Sequence, residues 1–181
     1  MCSIFKIYGE KGGAWSLMLW ENFDLNEVVV FSLSLCSYVL IFLLPKKFSK
    51  RVTMLSVFFG LATGMLFDFT IGGGLLNYYV LNDSDVYELT DMIYYSIFGP
   101  FSFLFFYFYE VLHINKKSIL PYIISWVVIG ILFQWIFNKI GVVTIQNGYK
   151  LLYSFAIFLV VQSVSAIYYE VLRKKEKIFV T

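Results

Sequence analysis

Apolar positions along the chain gather into five long runs, at about 28–44, 52–71, 92–109, 119–137 and 151–169. Each run approaches the roughly 20 residues that carry a helix across about 30 Å of hydrocarbon. A backbone in lipid must satisfy its own polar groups, which leaves helices or closed barrels. The alternating strands of about ten residues that build a barrel are absent. The pattern therefore predicts an all-α fold, a polytopic transmembrane helical bundle of five spans. It divides into an extracytoplasmic tail at 1–27, a five-helix domain at 28–172 and a basic tail at 173–181.

Breaks in the pattern are as informative as the runs. Residues 52–82 contain a single charge, Asp68, over a length too great for one perpendicular helix and too small for two crossings. Gly72-Gly73-Gly74 supplies a stop, because each glycine costs about 1 kcal/mol in a helix interior. The remainder, 75–81, is expected either to lie in the outer interface, anchored by Tyr78 and Tyr79, or to fold back into the bundle. Trp15 and Trp20 predict an interfacial segment at 14–20, since tryptophan settles at headgroup level. Gly99-Pro100 should kink or locally open the third span.

Composition narrows the class further. Of 181 residues, 60% are hydrophobic, 21% aromatic and only 14% charged, with mean hydropathy +0.76. A soluble domain carries about a quarter charged residues and cannot hide so much apolar surface at this size. A soluble enzyme, a nucleic-acid-binding domain, a disordered chain and a disulfide-stapled module are excluded. Cys2 and Cys36 are the two cysteines and imply no redox framework. No basic stretch, apolar core and cleavage site open the chain, so the mature protein is expected to begin at Met1.

Charge sets the expected orientation. Ten of the fourteen basic residues fall on one side: Lys46, Lys47, Lys50, Arg51, Lys116, Lys117, Arg173, Lys174, Lys175 and Lys177. Lysine and arginine in short connections are retained in the cytoplasm, which places the N-terminus outside and the C-terminus inside.

Candidate chemistry centres on the second span. Ser56, Gly60, Gly64, Asp68 and Gly72 recur every four residues and so share one face, where small side chains let another helix approach closely. Asp68 then points into a protein seam. At about 1.5 Å per residue it sits about 26 Å beyond Arg51, in the outer leaflet. A carboxylate hydrogen-bonded between helices is the plainer reading; an ionisable group in a water-lined outer cavity, able to hold a proton or cation, is the sharper one. Gln134, Tyr94, Tyr95, Tyr153, Asn147 and Lys150 lie at matching depth and complete a candidate polar cluster. Gln162, deeper, reads as interhelical glue.

Glu110-x-x-His113 has the spacing of a di-iron half-site, but the second copy is missing. Tyr109-Glu110-Val111-Leu112 does recur as Tyr169-Glu170-Val171-Leu172, with Arg173 in the place of the second histidine. A tyrosine belt followed by a charged interfacial turn accounts for both copies. No metal or other cofactor is expected, and no catalytic residue is assigned.

Asn147-Gly148-Tyr149-Lys150-Leu151-Leu152-Tyr153-Ser154 resembles a segment of an uncharacterised family of small five-helix integral membrane proteins of spore-forming Gram-positive bacteria. The Leu44-Pro45-Lys46-Lys47-Phe48 turn and Asp68 are similar in position to that family's pattern; the second aspartate expected a few residues after Asp68 is replaced here by Gly72 to Gly74. The resemblance implies a multi-pass protein of a bacterial cytoplasmic membrane and supplies no mechanism. The expected role is a non-enzymatic accessory or sensing subunit presenting an acidic outer loop at 83–91. A small transporter or ion-conducting oligomer using Asp68 is the competing class, and a lipid-processing enzyme a third. The expected partners are the lipid bilayer and other membrane proteins or a second copy, with no nucleic acid.

Overall fold

A computed structural model describes residues 4–6, 16–18, 24–72, 75–81 and 89–175. Its framework is five α-helices: α1 (Leu25–Leu43), α2 (Lys50–Ile71), α3 (Leu89–Val111), α4 (Ile119–Lys139) and α5 (Tyr153–Lys175). All five are long and apolar enough to cross a membrane. The expected interfacial segment at 14–20, except 16–18, and the acidic loop up to residue 88 lie outside the described residues.

The helix ends extend past the apolar runs because polar residues cap them. Asp24 and Glu27 form a capping box at the start of α1, with the Asp24 amide donating to Glu27 Oε2 at 2.7 Å. At α2 the Ser49 hydroxyl accepts from the Val52 amide. This helix stops at the glycine run, where the amides of Leu75, Leu76 and Tyr78 take up the carbonyls of Phe69, Thr70 and Ile71.

Residues 75–81 are partly extended. The segment carries a three-residue strand, β3 (Tyr79–Leu81), paired antiparallel with β4 (Val143–Ile145), in register Tyr79 to Ile145 and Leu81 to Val143; β1 (Ile4–Lys6) and β2 (Ser16–Met18) pair likewise. Both ribbons are additions to the all-α expectation. Gln146 and Asn147 pin the β3–β4 ribbon, since Gln146 Nε2 donates to Asn77 Oδ1 at 2.7 Å and Asn147 Nδ2 to the Asn77 carbonyl at 2.6 Å. Asn147 and Gly148 both have positive φ, 51° and 74°, as the two central residues of a type I′ turn require.

Helix α3 is the centre of the bundle: its apolar window is 56% buried, against 22–28% for the other four. Helix α2 packs on it through the small-residue face, with Gly60 against the Phe98 carbonyl and Gly64 against the Phe98 ring. Gly99-Pro100, where a kink or local opening is expected, lies inside an α3 that runs on from Leu89 to Val111. Pro100 has no amide to offer the Ser96 carbonyl, and the Tyr38 hydroxyl of α1 donates to that carbonyl at 3.1 Å. Helices α4 and α5 close the other side through the Phe101–Trp126 and Phe106–Tyr169 ring pairs.

Two apolar clusters fill the ends. One joins the α1–α2 turn to the C-terminal halves of α3 and α5, with Phe48, Phe105, Phe106 and Tyr169. The basic connections lie at this end. The other gathers Val30, Leu81, Tyr94, Phe137, Val142 and Val143 beneath the β3–β4 ribbon.

Candidate functional site

Four-residue spacing carries Asp68 onto the buried face of α2, one turn before the helix ends, and leaves it 3% exposed. Tyr95, near the start of α3, donates to its Oδ2 at 2.5 Å. The Tyr79 phenol of β3 faces the same carboxylate. Gly72 makes this possible: a Cβ there would stand 2.5 Å from Asp68 Oδ1 and 2.7 Å from the Tyr79 ring. Burial pushes the Tyr79 hydroxyl far above the usual phenol range, and the neighbouring Asp68 charge adds to the shift, so this phenol is a permanent donor. Asp68 Oδ1 is buried and has no hydrogen-bond partner.

Asp68 is also a wall residue of a large space. A cavity of about 480 Å³ is lined by residues of all five helices, most of them apolar. Asp68, Tyr79, Tyr94, Gln134, Tyr149 and Gln162 are prominent among its polar residues. Gln134 Oε1 and Ser102 Oγ are also buried without partners, and both residues line the same chamber. Tyr149 shares a hydrogen bond with Ser154 at 2.8 Å and faces the Gln134 amide; burial raises its pKa, and these two contacts oppose the shift. Phe59, a wall residue of the chamber, stacks on Tyr168 at 4.3 Å, and Phe106 stacks on Tyr169 at 4.9 Å.

The cluster inferred from depth is thus divided. Asp68, Tyr94 and Gln134 meet at the cavity, and Tyr95 holds Asp68 from behind. Tyr153 is 51% exposed and contacts Tyr149 instead, Asn147 is spent on the ribbon, and Lys150 is exposed. Tyr79 and Ser102 are chamber residues that depth arithmetic missed. The stripe of Ser56, Gly60, Gly64 and Gly72 is buried throughout. Tyr95 is a titratable group in bonding reach of Asp68, which is the minimum that a catalytic reading of the cluster requires.

A second polar group lies at the starts of α1 and α3, where Asn26, Glu27, Thr90 and Asp91 are buried. None of the four lines the chamber.

At the basic end Glu110 is occupied rather than open. Tyr169 donates to its Oε1 at 2.8 Å and Arg173 Nε lies 3.4 Å away. His113 stands beyond the end of α3 with φ at 50°, so it does not share a helical face with Glu110.

Fold and chamber together define a multi-pass helical bundle of membrane type with one buried carboxylate set at the edge of an apolar cavity. No family model, curated protein or solved structure matches the chain.

Proposed function

We propose that the chain is a multi-pass protein of a bacterial cytoplasmic membrane that works without catalysis, as an accessory or sensing subunit, by holding a largely apolar ligand in the chamber beside Asp68. One observation carries this reading: the cavity of about 480 Å³ is lined by three residues, Asp68, Gln134 and Ser102, that each carry a buried polar atom without a hydrogen-bond partner. Small-molecule sites are concave, mostly apolar and carry a few placed polar groups, in volumes of about 300–1,000 Å³. An orphaned polar atom in an apolar interior costs roughly 1–3 kcal/mol, which a bound ligand recovers by pairing with it.

The basic connections support an N-terminus outside and a C-terminus inside, which sets Asp68 and the tyrosines about it in the outer half of the bilayer. The resemblance to the small Gram-positive membrane proteins supports the bacterial setting. Contact between Asp68, Gln134 and the tyrosines along one cavity is also what a small transporter needs. The chamber's walls are mostly apolar, which favours holding a lipophilic ligand over conducting an ion.

The test uses the full chain in lipid nanodiscs. Trp126 lines the cavity, so saturable energy transfer from tryptophan to N-phenyl-1-naphthylamine, a neutral apolar probe, reports occupancy above the empty-disc background. Val161→Phe, which fills part of the same space, is expected to weaken that signal. Transfer that never saturates, or that Val161→Phe leaves unchanged, overturns the reading.

A further inference from the structure

The carboxyl at the chamber's edge has no counterion among the described residues. Among the described residues no lysine, arginine or histidine pairs with Asp68; the ion pairs of Arg173 stand at the opposite end of the bundle. Lys139 and Lys150, the basic residues nearest the ribbon in sequence, are exposed. A carboxylate buried among membrane helices is costly unless something positive compensates it. Neutral phenols lessen that cost without cancelling the charge.

What surrounds the carboxylate suits a cation. Tyr79, Tyr94 and Tyr95 stand about it, with Tyr94 and Tyr95 edge to face at 6.1 Å and the Tyr79 ring within 2.7 Å of a Cβ built on Gly72. Aromatic faces attract ammonium groups, most strongly where water is excluded. Gln134 and Ser102, which also line the chamber, each carry an unpaired oxygen. An anionic head would meet the Asp68 charge unscreened, and the remaining wall is apolar.

We propose that the chamber takes a lipophilic monocation, a primary ammonium on an apolar tail, with the ammonium against Asp68 and the tail along the α2–α5 walls. This rests on the chamber being a ligand site, and it adds the chemistry of the head.

Decylammonium, decanol and decanoate carry the same tail under three heads. Each is used to displace N-phenyl-1-naphthylamine from the native chain in discs of zwitterionic lipid, with partition into empty discs subtracted. Decylammonium is expected to act at a concentration lower than decanol by about tenfold, the scale of one desolvated cation–π and charge contact, with decanoate weakest. Asp68→Asn is expected to abolish the preference and Asp68→Glu to keep part of it. The comparison of heads on the native chain decides the matter even where Asp68→Asn does not fold. Equal displacement by all three overturns the cation assignment and leaves the ligand chamber standing; no displacement by any, together with no effect of Val161→Phe on the probe, overturns both.

Discussion

Tyr169 donates to Glu110 Oε1 at 2.8 Å, and the counterpart bond, from Tyr109 to Glu170 Oε1, has the same length. The repeated Tyr-Glu-Val-Leu is therefore a reciprocal clasp in which each tyrosine reaches the other copy's glutamate. Helices α3 and α5 run parallel, so one local twofold relation generates both bonds. Arg173 Nε lies 3.4 Å from Glu110 Oε1 and its Nη1 3.6 Å from Glu170 Oε1, tying the two halves together. The clasp ties α3 to α5 at the basic end, away from Asp68.

The two halves of the clasp should not contribute equally. Glu110's side chain is 9% exposed and Glu170's 38%, so water can replace the lost donor for one glutamate far better than for the other. Tyr169→Phe is expected to destabilise the bundle by about 1–2 kcal/mol, the range for interhelical hydrogen bonds in membranes, and Tyr109→Phe by clearly less. Unfolding in mixed micelles with rising dodecyl sulfate measures both; equal losses would show that burial does not set the strength of these bonds.

Pro100 and Tyr38 form a second coupled pair. The Ser96 carbonyl has lost its helical partner to Pro100 and depends on the Tyr38 hydroxyl. Tyr38→Phe is expected to cost about 0.6–1.7 kcal/mol in the native chain. In a Pro100→Ala background an amide is restored at position 100, and the same change should cost little. A double-mutant cycle on the same unfolding assay reads the coupling; additivity of the two changes would mean that Tyr38 is not the carbonyl's substitute partner.

Helix α2 offers a graded test of close approach. A methyl at Gly60 would collide with the Phe98 carbonyl, which is backbone, whereas one at Gly64 would meet the Phe98 ring, which can turn. Gly60→Ala is expected to lower stability by about 1–3 kcal/mol, as overpacking does, and Gly64→Ala by less. A reversed order would place the closest approach of α2 and α3 elsewhere.

How much of this was legible in the sequence follows from what hydrocarbon demands. Uniform apolarity marks a span, so the five helices read directly, but hydropathy cannot see the polar turns that extend them. Helix α1 begins at Leu25 because Asp24 and Glu27 cap it, and α5 runs to Lys175 through the turn that bears the clasp. The stripe from Ser56 to Gly72 was legible because a four-residue period fixes one face, and all its members are buried. Depth along a helix could also be counted, while rotation about it could not, so Tyr153 and Lys150 were grouped with residues they do not join. Strands of three residues have too few positions to show a period. That left β3 unseen, and with it Tyr79. The Tyr-Glu repeat was visible, but reciprocity between its copies is a property of two helices side by side, not of either one.

Orientation remains to be fixed by labelling, and the positions for it are given by the fold. Lys116 is exposed in the α3–α4 turn at the basic end, and Thr144 is exposed on β4 at the chamber end. Retention of basic turns in the cytoplasm predicts opposite fates for cysteines placed there. In a chain whose own cysteines are replaced by serine, Thr144→Cys should react with an impermeant maleimide on intact cells. Lys116→Cys should react only once the membrane is opened. Neither change touches a chamber residue or the clasp, so both chains are expected to fold as the native one does. The opposite pattern would reverse the orientation and move Asp68 to the cytoplasmic half of the bilayer. Labelling of both positions on intact cells would mean that α4, which joins them, does not cross the membrane.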